Sequence, residues 1–164
     1  MRREIAIVIG STSDKKFTEK GLAILDNLKI PYWFRVLSAH RTPEQLDRFI
    51  QEVEGGGGKA IIAGAGMAAH LAGVIAAKTL LPVIGVPFAS GPLHGVDALL
   101  STAMMPPGIP VACMGIGSSG FTNGCLFALH MLAPYNQHIA KGLHTLRQDK
   151  RQQILAANQS DGDK

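Results

Sequence analysis

Three short stretches of this chain gather residue types that chemistry uses: Gly10-Ser11-Thr12-Ser13-Asp14, Ser38-Ala39-His40-Arg41-Thr42-Pro43 and Gly64-Ala65-Gly66-Met67-Ala68-Ala69-His70. The second combines a hydroxyl, an imidazole that titrates near neutrality and a guanidinium that stays charged. Its Thr42-Pro43-Glu44-Gln45 reads as a helix start, with Thr as N-cap, Pro at the first helical position and Gln at the third. Ser38, His40 and Arg41 are therefore expected on a strand-to-helix turn, beside backbone N–H groups at the positive end of a helix. Arg41 can clamp a phosphate with two parallel N–H donors, or simply pair with Glu44 on the surface. No Cys or Ser nucleophile is obviously paired with His40, so general acid–base work suits it better than covalent catalysis. A structural histidine with satisfied hydrogen bonds is the plainer alternative.

The first stretch offers N–H groups and hydroxyls at a helix N-terminus, which is either an anion site or an ordinary cap. It is neither a Walker nor a dinucleotide fingerprint. Asp14 would repel a phosphate placed directly on it but would accept well from a diol. Phosphate to Ser11 and Arg41, with the diol to Asp14, suggests a ribose 5-phosphate ligand. In the third stretch, small residues let the backbone approach a flat ring closely, and tight helix packing would need the same residues. His70 opens or lies within a helix, where capping or packing is at least as plausible as catalysis. His94 sits in a Gly/Pro loop, Ser90 to Gly95, that could act as a lid. His130, His138 and His144 are not spaced as a metal pair, and no metal site is expected.

The elements that must position these residues follow from the apolar pattern. Strands are expected at Glu4–Ile9, Tyr32–Leu37, Lys59–Ala63, Pro82–Val86 and Pro110–Met114. Helices should follow each: one carrying Phe17, Leu22, Leu25 and Leu28, then Pro43 to about Val53, an Ala-rich helix through His70 to Leu80, Val96–Met104, and about Asn123 to Leu132. Pro134 restarts or kinks the chain into a last helix, and Asn158 to Lys164 should fray. Five β-then-α units argue for a doubly wound parallel sheet, whose ligands bind outside the carboxyl ends of the strands. Nearly all of the unusual Gly, Ser and His residues fall at those ends.

Composition narrows the partners. With 164 residues, one domain is expected, over 1–157, with a frayed tail beyond it. Charged residues are only 17% against about 25% in typical soluble domains. The mean hydropathy is +0.17. No run is long enough for a membrane span, so the apolar excess is expected between subunits. The net charge of +4 is scattered, and one Trp with two Tyr is too few for a base-stacking platform, which argues against nucleic acid. Cys113 and Cys125 lack metal or redox spacing, as for buried thiols in a reducing cytosol. Met1-Arg2-Arg3 leads into a strand rather than an export signal.

The three stretches, together with Pro82-Val83-Ile84-Gly85-Val86-Pro87 and Met105-Pro106-Pro107-Gly108-Ile109-Pro110-Val111, closely resemble the N5-carboxyaminoimidazole ribonucleotide mutase family, class I PurE, from about Ile5 to Leu132. The resemblance implies a three-layer flavodoxin-like fold of strand order 2-1-3-4-5, with a C-terminal helical extension packing onto neighbouring subunits of a cytoplasmic homo-octamer. It implies conversion of N5-carboxyaminoimidazole ribonucleotide to 4-carboxy-5-aminoimidazole ribonucleotide without metal or organic cofactor. It also implies that Ser11, Asp14 and Arg41 bind the nucleotide and that His40 is the acid–base. Ser38, Ala39, Gly64, Ala65, Gly66, His70 and Leu71 would line the pocket. Ala72, the Ser90–Gly95 loop and Gly117–Asn123 depart from the pattern usual in the family. A sister class carboxylates aminoimidazole ribonucleotide directly with CO2. It typically carries Lys at the position of Arg41 and lacks the Ala-Gly-Ala-Gly segment. A phosphate sensor or a flavin module on the same fold is a different class of answer, and a flavin would favour aromatic residues at the strand ends.

Overall fold

The most continuously apolar runs of the chain become the inner strands of one sheet. In the computed structural model, which describes residues 2–160 (159 and 160 by backbone alone), these are β1 (Ile5–Ile9), β3 (Ala60–Gly66) and β4 (Val83–Phe88). The edges are β2 (Tyr32–Val36) and β5 (Ala112–Cys113). All pairings are parallel and the order is β2-β1-β3-β4-β5, as the sequence led us to expect. Buried runs without alternation suit such a sheet, because helices cover both of its faces.

The pleat divides the strand side chains between those faces. Ala6, Val8, Trp33, Ile61, Ala63 and Val83 pack with Leu46, Phe49, Ile50 and Val53 of α2 (Pro43–Gly55) and with Leu71, Ala72 and Ile75 of α3 (Leu71–Ala76). At Gly85 an added Cβ would collide with Thr102 of α4 (Val96–Ala103), so this helix lies on the same face. On the opposite face Gly124 of α5 (Gly117–Leu132) packs against Ile84 and Val86. Gly21 of α1 (Glu19–Asn27) meets Phe121 and Cys125 of α5 there. Each fully buried Leu, Ile or Phe in these layers contributes ~1.5–3 kcal/mol.

Several boundaries differ from the sequence reading. A 3₁₀ turn, Thr12–Phe17, precedes α1. Gly64–Gly66 extends β3 rather than opening a helix, and α3 ends at Ala76, which leaves Leu80 fully exposed beyond it. Strand β5 keeps only two residues. Helix α5 begins at Gly117, six residues before the expected start, because the Gly-Ser-Ser-Gly segment is selected by close packing rather than by helix propensity. A Cβ at Gly120 would collide with the Gly115 carbonyl.

Packing divides the chain into two compact units, Met1–Ala128 and Leu129–Lys164. The second holds the end of α5, a 3₁₀ turn at Ala133–Tyr135 and α6 (Gln137–Ser160). The Asn136 side chain caps α6 by accepting from the N–H groups of His138 and Ile139 at 3.1 and 3.3 Å. Of the tail expected to fray, residues 158–160 continue α6, and 161–164 lie outside the described residues.

Candidate active site

The Ser38–Thr42 turn is built by its own side chains. The Ser38 hydroxyl accepts from the N–H groups of His40 and Arg41 at 3.3 and 3.2 Å. Thr42 does not cap α2 with its side chain. Its hydroxyl instead donates to the Ser38 carbonyl at 3.1 Å and accepts from the Ser38 N–H at 2.9 Å. Side-chain hydroxyls compete with helical bonding in this way at turns. The expected capping role is thereby replaced by closure of the turn, which fixes His40 and Arg41 side by side.

Arg41 reaches across the end of the sheet, where its Nη2 donates to the Gly10 carbonyl at 3.2 Å. Register explains the meeting, because Ile9 lies level with Val36 on one side and Gly64 on the other. The chain segments leaving the three strands therefore emerge together. After Gly10, the Ser11 hydroxyl accepts from the Ser13 N–H at 3.4 Å and lies 3.0 Å from the Ser13 hydroxyl. Asp14 is buried in this turn at 5% exposure. Burial pushes its carboxyl above the ordinary value, while Ser90, the Ser11 backbone, Lys16 and Arg41 pull it down.

These segments enclose a cavity of about 480 Å³, within the usual range for small-molecule sites. Ser11, Asp14, Ser38, Ala39, His40, Arg41, Ala65, Gly66 and Leu71 all line it, so nine of the expected site residues come together. Gly64 lies behind the lining, buried, with its carbonyl accepting from the Gly10 N–H at 3.0 Å. The Phe88 ring fills the space a Cβ would take there. His70 is also outside the lining, but its Nδ1 stands 3.0 Å from Nε2 of His40.

Gly10, Ser13, Met67, Ala68 and Ser90 complete the wall and were missing from the expected set. Ser13 and Met67 fell inside motifs already singled out, while Ser90 belonged to the loop read as a lid. At Gly66 an added Cβ would collide with the Ser90 side chain, so the small residue admits that loop to the rim. Among the described residues, no group of three or more His, Cys, Asp or Glu side chains is placed to hold a metal ion.

Comparison with known proteins agrees with this geometry. The chain is 46% identical over 152 residues to an N5-carboxyaminoimidazole ribonucleotide mutase of Haemophilus influenzae, covering 93% of each chain. It is 44% identical over 158 residues to the protein of the same name from Bacillus subtilis, covering 96% of this chain and 98% of that one. The fold matches a crystal structure of Treponema denticola PurE with a TM-score of 0.87 at 27% identity, over 99% of this chain and 100% of the other. The model of the AIR carboxylase family matches residues 4–153. With the sheet order, the cavity and these similarities in agreement, the chain belongs to the AIR carboxylase family.

Proposed function

We propose that this chain is an isomerase of de novo purine biosynthesis that converts N5-carboxyaminoimidazole ribonucleotide to 4-carboxy-5-aminoimidazole ribonucleotide. The observation that carries the reading is the pairing of His40 and Arg41 on one self-bonded turn, opposite Gly10–Asp14 across the cavity. Arg41 and the Ser11 turn bind the 5-phosphate, and Asp14 accepts from the ribose hydroxyls. His40 carries the proton.

Moving a carboxyl group from an exocyclic nitrogen to a ring carbon leaves the proton count unchanged, so one titrating group suffices. Protonated His40 donates to the nitrogen as the carbamate releases CO2. The ring carbon attacks that CO2, held among Ala39, Ala65, Gly66, Ala68 and Leu71. Neutral His40 then takes the proton from the carbon, which restores both the aromatic ring and its own starting state. Enclosure makes recapture effectively unimolecular. The sequence needs no metal or organic cofactor. Ser90, at the rim, belongs to a loop that closes over the ligand.

Residues 1–157 act as one catalytic domain in this reading, in a cytoplasmic homo-octamer. Val96 and Leu100, at successive turns of α4, and Met104 just after its end are exposed apolar residues that a subunit interface would cover. No helix among the described residues is long and apolar enough to cross a membrane.

The test offers the purified protein either the carbamate ribonucleotide or aminoimidazole ribonucleotide with bicarbonate. Turnover of the first is expected, and carboxylation of the second alone would give the sister activity. His40→Asn should bind ligand yet lose ~10²–10⁴-fold in turnover. Near-normal turnover in that variant removes His40 from the chemistry.

A further inference from the structure

Two large apolar side chains line the cavity among the described residues, and they stand differently. Leu71 opens α3 and is 3% exposed, so it belongs to the floor. Met67 lies in the turn between β3 and α3 and is 55% exposed, so it stands at the mouth. Its backbone has φ +54, a left-handed conformation that a residue with a Cβ rarely takes. The Ala69 N–H closes the turn by donating to the Met67 carbonyl at 2.8 Å. Strain of this kind persists only where the surrounding structure imposes it, and it gathers at ligand sites. Glycine would hold the same turn unstrained, so this position carries a side chain in spite of its backbone. Facing it is Gly91 of the Ser90–Gly95 loop, where a Cβ would come to 3.1 Å from the Met67 Cγ and 3.4 Å from its Sδ. With no side chain at Gly91, the thioether keeps room to swing between that loop and the cavity. Methionine suits such a place, because it is unbranched and its sulfur packs well on aromatic rings.

The proposed reaction needs an apolar cover at this place. When the N–C bond of the carbamate breaks, its electron pair stays on nitrogen, which takes the proton from His40, and CO2 leaves uncharged. Arg41 and Asp14 hold phosphate and hydroxyls, and neither grips a neutral molecule. Retention of CO2 is therefore a matter of shape. Ala39, Ala65, Gly66 and Ala68 supply close walls but are too short to reach over the mouth. We infer that Met67 is a further substrate-positioning residue, whose thioether folds over the base ring at the mouth of the cavity and keeps the released CO2 beside it.

This role rests on the proposed mutase reaction, so the test counts carboxyl groups rather than rates. Carbamate ribonucleotide labelled with ¹³C in its carboxyl group is turned over in unlabelled bicarbonate, and the loss seen without enzyme is subtracted. The wild type should pass the label to the carbon-carboxylated product. Met67→Gly keeps the turn, since glycine takes φ +54 freely, and removes the cover. It should release roughly tenfold more label per product formed, together with free aminoimidazole ribonucleotide, because escape now competes with recapture. Met67→Leu restores the apolar bulk and should hold the leak within about threefold of the wild type. The ratio of leaked to transferred carboxyl does not depend on how much protein is folded, so lost stability does not imitate the result. A wild-type ratio in Met67→Gly would overturn the inference, and so would equal leaks in the two variants. A second arm needs no turnover. Aminoimidazole ribonucleotide should slow the oxidation of Met67 by hydrogen peroxide, read by mass spectrometry, and ribose 5-phosphate should not. Equal protection by the two, or none by either, would overturn the contact with the ring. A wild type that forms no carboxylated product would count against the proposed function, and the oxidation rates would still decide whether Met67 covers the base.

Discussion

Burial lifts the Asp14 carboxyl above its ordinary value of 3.8, and the Ser90 hydroxyl, the Ser11 backbone and the cations Lys16 and Arg41 offset only part of that rise. The sign of the effect on stability follows. Above its folded value the wild type pays for holding an ionised carboxylate out of water, and below 3.8 both folded and unfolded forms are protonated. Asp14→Asn, which never ionises, should therefore melt at a higher temperature than the wild type at pH 7. Its advantage should shrink as pH falls and vanish below about pH 3.8, as calorimetry across that range would record. A variant that melts lower at pH 7 would contradict the account. If Asp14 accepts from the ribose diol, the same variant loses nucleotide affinity by roughly tenfold or more, because a hydrogen bond to a charged acceptor is lost. Stability and binding thus move in opposite directions at one residue, as they do where a site is built at the expense of the fold.

At the level of elements, Gly21 of α1 shows why this helix and α5 lie so close. A Cβ at Gly21 would sit under 3.0 Å from the Phe121 ring and the Cys125 sulfur. Gly21→Ala should destabilise the protein by ~1–3 kcal/mol through overpacking. A urea titration should show a lower midpoint with an unchanged slope, while KM of the folded enzyme stays put. An equal or higher midpoint would show that the helices part without cost. The same contact buries Cys125, whose thiol is pushed up to about 12. It should resist alkylation at pH 8 until the protein unfolds, whereas the half-buried Cys113 is the site of slow labelling.

Over the whole molecule, the low charge content and the exposed apolar residues raise the question of what covers them. In the first unit these include Leu80, Leu93, Val96, Leu100 and Met104. In the second they include Tyr135, Ile154 and Leu155. Light scattering should report a mass near eight times the 17.4 kDa of one chain. Leu100→Glu should lower that mass while leaving the far-ultraviolet circular dichroism unchanged, since Leu100 is exposed on α4. A wild type that runs as a single chain would remove the octamer from the reading.

The family resemblance supplied the strand order, and the sequence by itself determined the parallel sheet and the clustering of chemistry at the strand ends. Apolar runs without alternation, separated by helical stretches, leave few other ways to bury both faces. It also marked His40, Arg41, Ser11 and Asp14, because a short turn beside a helix start holds such residues close together whatever surrounds them. It could not tell that Thr42 would close its own turn rather than cap α2. Nor could it tell that Gly117–Gly120 would be helical, since there close packing overrides propensity. Above all, only the tertiary structure brought His70 to His40. That contact depends on the register of three strands and on a left-handed turn at Met67, and no local pattern encodes a distance between residues so far apart in the chain.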